Sequence, residues 1–240
     1  CMSAEWRMVG SPPQLLVIDF PVPTVLSLVA AGSMEPDSHE RAELLKRLCV
    51  PAEKFVRVRQ EHTRLIVDAQ PGRVDVGDGL VTDRSDLALG VTVGDCMPIV
   101  ASDPRRGCLA LLHSGRRGTG ILRAAVTVLT ERYGSRAADV HVLLGPAIGA
   151  EQYRVDERTA AQFAEEFGET HVRTRDGAWW IDLRSANHSI CSDMGISHVY
   201  DVDRCTYADR VFGSYRREGT GYTRMLMVAG AITIPKERST

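Results

Sequence analysis

The chain has 240 residues, 44% apolar and 25% charged, with a formal net charge of −2 at pH 7. That length supports a substantial hydrophobic core in one compact domain, and the near-balance of charge gives no global reason to expect nucleic acid or an anionic membrane as partner. Every apolar run is interrupted well before the roughly 18–20 residues that a membrane-spanning helix needs.

The opening segment CMSAEWRMVGSPPQLLVIDF carries an acid and only a short apolar stretch, which is not a secretory-signal pattern. The six cysteines include no CxxC pair, so they read as reduced thiols and the expected address is the cytoplasm. QLLVIDF and TVLSLVA are strand-like. In PDSHERAELLKRLCV, Asp37 followed three positions on by Glu40 marks a helix start, with Leu44, Leu45 and Leu48 on one face. KFVRVRQEH, RLIVDA, LALGVTV, PIVAS and CLALLH return to strands and form the expected sheet core.

Helical spacing then appears in GILRAAVTVLTERYG, which closes at Gly134, before DVHVLLG resumes as a strand. Two further helices are expected to begin at Asp156 and Asp182, and the strands HVYDVD and TRMLMVAGAITI complete the pattern. Together these give an α/β or α+β fold, a single domain over residues 1–240, with helices outside a mixed sheet system. Neither GxGxxG nor GxxxxGK[ST] occurs, so no dinucleotide or nucleoside-triphosphate loop is supported.

The chemistry concentrates in GVTVGDCMPIVASDPRRGCLALLHSGRRGTG. Cys96 and His113 each stand beside turn-forming residues at the border of an apolar run, which brings a thiol and an imidazole within reach of one pocket. One reading is a dyad in which His113 acidifies Cys96 into a nucleophile. Another is zinc, for which His62, expected at the end of KFVRVRQEH, supplies a third ligand and leaves an open position for water. Spacing alone also allows a buried thiol with two unrelated histidines. Cys49, Cys108 and Cys191 read as core residues, and His39, His141, His171, His188 and His198 have no motif context. Trp179 and Trp180 read as packing.

The run DGLVTDRSDLALGVTVGDCMPIVASDP followed by HSGRRGT resembles the laccase-domain, or polyphenol oxidase, family, and LLGPAIGAEQYRV, DLRSAN and DRCTYADRVFGSYRREGTGYTRM extend the likeness over roughly residues 55–230. The resemblance implies a layered α/β/β/α fold with mixed sheets. It also implies zinc on His62, Cys96 and His113, and phosphorolysis of purine nucleosides with adenosine deamination as a side activity. Carried over by position, Asp95 and Arg117 become catalytic candidates and Gln60, Tyr153, Arg216 and Arg224 substrate-binding ones. Asp95 is expected either to move a proton or to hydrogen-bond a ligand histidine. The implied partners are a small molecule and phosphate.

This chain departs from the family pattern at Thr63, Gly94, Ser114 and Arg116, and in the region TVLSLVAAGSMEPDSHE, which predicts an altered pocket wall. A metal-free cysteine hydrolase or amidase using Cys96 and His113, a member with a different small-molecule substrate, and a protein holding metal only for structure are the competing readings. Four-copper oxidation needs many more paired histidines than the seven present.

Overall fold

The Val-, Ile- and Leu-rich runs assemble into two large sheets lying face to face, in a computed structural model that describes residues 2–235. The first sheet has six strands, in the order Trp6–Val9, Leu15–Ile18, Thr24–Ser27, Met225–Gly230, Ala88–Val93 and Phe55–Arg57. The second has seven: Met2–Ser3, His198–Asp201, His141–Leu144, Met97–Asp103, Cys108–Ser114, Gly79–Thr82 and Ile66–Asp68. Each sheet mixes parallel and antiparallel pairs.

Both faces of each sheet are covered, which is why the central strands are apolar along their whole length and do not alternate with polar residues. In the Cys108–Ser114 strand, Leu109 and Leu111 enter the core between the sheets. Cys108, Ala110 and Leu112 pack outward against helices Ile121–Tyr133 and Leu183–Asp193. Across the molecule, Leu226 and Val228 meet Leu44 and Leu48 of the His39–Arg47 helix region. The layers therefore run α/β/β/α, as the family likeness implied. Truncating a fully buried side chain such as Leu122 to alanine costs about 2–5 kcal/mol in a core of this kind.

A small third sheet, Arg154–Val155, Ala178–Ile181 and Val172–Arg175, packs on helix Glu157–Phe167 through Ile181 and Phe163. It was not expected from the sequence, and it places half-buried Trp179 and Trp180 in a short hairpin. Helix starts at Asp156 and Asp182 are as expected, each carboxylate accepting from the backbone N–H three residues on. The first helix is different. Its cap is Ser38, whose hydroxyl accepts from Arg41 N, while Asp37 takes a positive φ of 62° in the preceding turn. Cys108 and Cys191 are buried, but Cys49 is exposed, just past the helix end at a φ of 55°.

Three connections carry the chain between the two large sheets at one end of their strands. One runs from Phe55–Arg57 to Ile66–Asp68, one from Ala88–Val93 to Met97–Asp103, and one from His198–Asp201 back to Met225–Gly230. Backbone and side-chain hydrogen bonds tie these connections together, and the candidate site lies where they meet.

Candidate metal centre

Cys96 ends the second connection, immediately before strand Met97–Asp103, and the tight crossing at Gly94–Cys96 forces Asp95 to a φ of 87°. His113 lies on the neighbouring strand opposite Pro98, with Ser114 opposite Met97. One step further along this register, Gly115 faces Cys96. A Cβ at position 115 would stand 2.6 Å from the Cys96 sulfur and 3.4 Å from His62, so only glycine leaves the space between these side chains open. His62 is not at a strand end, because that strand stops at Arg57. It sits in the first connection at a φ of 58°. One ligand atom from each of His62, Cys96 and His113 lies within 4.8 Å of the others.

Two of the three are held by one buried carboxylate that the sequence reading gave no role. Asp78 accepts the backbone N–H groups of Glu61 at 3.2 Å, His62 at 3.0 Å and Thr63 at 2.6 Å, and the Thr63 hydroxyl at 2.8 Å. It also accepts from His113 Nδ1 at 2.8 Å, which leaves Nε2 as the nitrogen available to a ligand. Despite burial, the hydrogen bonds from His113 and Thr63 bring the Asp78 carboxyl down to about 2. The available signal was its place at the head of DGLVTD, inside the family-like run.

Burial opposes charge on the thiol and the imidazole alike. Even so, the neighbouring His113 and His62 bring Cys96 down to about 6, and the Cys96 thiolate and Asp78 bring His113 up to about 9. Without metal, then, the thiol and the imidazole each favour the other's charged form. One thiolate and two imidazoles, preorganised by Asp78 and with one side facing a cleft, form a donor set suited to a tetrahedral ion that keeps an open position. The residues fit a metal.

The cleft above them measures about 630 Å³, within the ordinary range for small-molecule sites. All the carried-over residues line it: Gln60, Asp95, Arg117, Tyr153, Arg216 and Arg224. Several are already engaged. Gln60 pairs its amide with Thr92, donating to the carbonyl and accepting from both N–H and hydroxyl, each at 2.8 Å. Asp95 accepts from the Thr206 hydroxyl at 2.7 Å and from Arg216 N at 2.6 Å. The carboxylate on His113 is thus Asp78, whereas Asp95, for which a histidine partner was one of two expected roles, is bonded elsewhere. Arg216 lies over the Tyr153 ring at 5.1 Å, and Arg224 is paired with Glu35, from the divergent region, and lies over Tyr222 at 4.9 Å. Burial, then the nearby thiolate, push the Tyr153 phenol up to about 12.

The four departures from the family pattern have separate consequences. Thr63 adds a hydroxyl donor to Asp78. Ser114 is buried and does not line the cleft, whereas Arg116 does. Gly94 makes room for Tyr222, because a Cβ there would lie 2.1 Å from that ring. Tyr222 in turn meets Tyr215 edge-on at 5.6 Å, so the altered wall is aromatic.

Residues 35–232 match the family model described as multi-copper polyphenol oxidoreductase laccase. A purine nucleoside phosphorylase of Deinococcus radiodurans is 35% identical over 198 residues, covering 81% of this chain and 77% of that protein. Another, YlmD of Geobacillus stearothermophilus, is 31% identical over 212 residues, covering 80% and 77%. The crystal structure of that YlmD superimposes with a TM-score of 0.86 at 26% identity, covering 94% of this chain and 99% of its own.

Proposed function

The chain belongs to the multi-copper polyphenol oxidoreductase laccase family, and on that footing we propose that it is a zinc-dependent purine nucleoside phosphorylase. The observation that carries this reading is the His62, Cys96 and His113 donor set at the floor of a cleft walled by arginine and tyrosine side chains. It is supported by the relatives named purine nucleoside phosphorylase. Zinc held by the three residues would supply Lewis acidity at the cleft floor.

The chain's own side chains account for the rest. In phosphorolysis a phosphate oxygen bonds to the sugar C1′ while the bond to the purine nitrogen breaks and its electron pair leaves with the base. The site must therefore hold a phosphate anion beside a sugar that develops positive charge. Arg117 and Arg216 present guanidinium groups for that anion, with Arg224 braced by Glu35 beside them. Tyr222, Tyr215 and Tyr153 offer ring faces and edges to a planar base. Asp95 holds Arg216 against the floor through its backbone N–H, and Asp78 fixes His113 in one tautomer.

The test begins with metal content. Protein purified without chelator is expected to carry about one zinc per chain by elemental mass spectrometry, lost in Cys96→Ser. Adenosine, inosine and guanosine are then assayed with and without phosphate. Phosphate-dependent release of free base and ribose 1-phosphate supports the reading, while phosphate-independent conversion of adenosine to inosine marks a hydrolase. Full turnover without metal sinks it.

The acidified Cys96 thiol beside His113 favours one alternative, a metal-free cysteine hydrolase. For that enzyme, chelator leaves activity intact and iodoacetamide at Cys96 abolishes it. No helix among the described residues is long and apolar enough to cross a membrane.

A further inference from the structure

Beyond Tyr153 the metal cleft continues into a second cleft of about 530 Å³. Arg116, Tyr153 and Arg216 belong to both, while Arg154 and Thr159 line only the second. Most arginines of the chain are paired with a carboxylate, yet Arg116, Arg154 and Arg216 form no ion pair among the described residues. Arg216 spends one nitrogen on the carbonyls of Gln152 and Arg154, at 3.2 and 2.9 Å. The single carboxylate in this cleft, Asp156, is committed as a helix cap to the N–H and hydroxyl of Thr159, at 2.8 and 2.9 Å. Three guanidinium groups therefore face one engaged carboxylate, and the balance is a local positive field on a chain of net charge −2.

Guanidinium groups clustered without carboxylate partners suit a phosphoryl dianion, which offers several acceptors to their forked donors. Two sources could bring one: free phosphate, or a phosphate borne by the substrate. Location decides between them. A phosphate that attacks the sugar carbon must lie beside the metal donor set, where Arg117 and Arg224 line the first cleft and not the second. A group held by Arg154 lies past Tyr153, in the cleft that the donor set does not line.

We propose that the second cleft takes a phosphoryl group carried by the substrate, so that the preferred ligand is a purine nucleoside 5′-phosphate. This rests on the purine nucleoside reading of the first cleft. Arg116, which stands where the family pattern has tryptophan, bridges the two clefts and gives this chain a guanidinium in place of an indole at their junction.

Calorimetric titration of the zinc-loaded full chain with adenosine 5′-monophosphate, adenosine, ribose 5-phosphate and inorganic phosphate tests it. The wild type is compared with Arg154→Ala, an exposed position. The expected result is monophosphate binding about tenfold or more tighter than adenosine. That advantage should shrink as salt rises and be lost in Arg154→Ala with adenosine affinity unchanged. Equal affinities for monophosphate and adenosine in the wild type overturn the second cleft and leave the nucleoside reading standing. If Arg154→Ala weakens inorganic phosphate alone, the cleft serves free phosphate and the proposal fails. Equal binding of ribose 5-phosphate and monophosphate, with adenosine silent, keeps the phosphoryl site but overturns the purine reading. Binding by none of the four overturns both.

Discussion

At the floor of the cleft five donors converge on one fully buried carboxylate, Asp78, whereas at its rim Arg116 and Arg117 have no carboxylate partner among the described residues. The floor is satisfied from within the chain, so its geometry is set by folding and is ready before anything binds. The rim leaves charge unanswered, and its energy is realised only when a ligand supplies the missing acceptor. Substitutions at the floor should consequently change stability and metal retention together, while substitutions at the rim should change affinity alone.

The strongest challenge to that division is Asp78→Asn. An amide cannot accept five donors, so urea unfolding is expected to show a loss of about 3 kcal/mol, with zinc affinity falling about 10- to 100-fold. Unfolding within 0.5 kcal/mol of wild type and full zinc content would mean that the floor does not depend on Asp78. Next in size is Gly115→Ala, whose methyl must displace the Cys96 sulfur from its 2.6 Å approach. Zinc retention during dialysis against a competing chelator should drop about tenfold or more, with smaller loss of stability.

The floor also has a pH signature once metal is stripped. Cys96 ionises lower in the folded chain than in the unfolded one, so its contribution is complete above about 9 and lost as pH falls through about 6. His113 is the mirror case, complete below about 6.5 and lost as pH rises through about 9. Between about 6.5 and 9 the two slopes cancel, so the pair makes the stability of stripped protein nearly independent of pH there, and iodoacetamide labelling of Cys96 should reach its half-maximal rate near pH 6. A midpoint near 9 would show that the imidazoles do not act on the thiol.

Smaller effects belong to the wall and rim. Gly94→Ala drives a methyl into Tyr222, and displacement of that ring should raise the nucleoside KM several-fold with kcat less affected. Arg117→Ala should raise the phosphate KM about tenfold while the melting temperature stays within about 2 °C, as expected for an exposed side chain without an ion pair. A large loss of stability in Arg117→Ala would erase the contrast between floor and rim.

Apolar runs, helix caps at Asp156 and Asp182, and the closing Gly134 were legible because each depends on neighbours in the sequence. The grouping of His62, Cys96 and His113 was legible through the family-like motifs and through ligand chemistry, even though His62 proved to lie in a loop. What stayed hidden depends on contacts between distant segments. Asp78 reads as one more acid in GDGLVTD until Glu61, His62, Thr63 and His113 are folded onto it. Gly94 reads as a lost methyl until Tyr222, far along the chain, fills the space. The small sheet was missed because Arg154–Val155 is only two residues long and its partners carry charge and tryptophan where a buried strand would be aliphatic.

His62 and Cys96 each sit in a connection that leaves the six-stranded sheet for the seven-stranded one, while His113 belongs to the latter outright. An ion shared by these residues would act as a rivet through the seam between the two halves of the sandwich. Its removal should loosen that end of the sandwich first, so amide exchange in residues 58–65 and 94–96 would quicken well before the centres of the sheets respond. A metal chosen for chemistry would thus also set how readily the sandwich parts along one side.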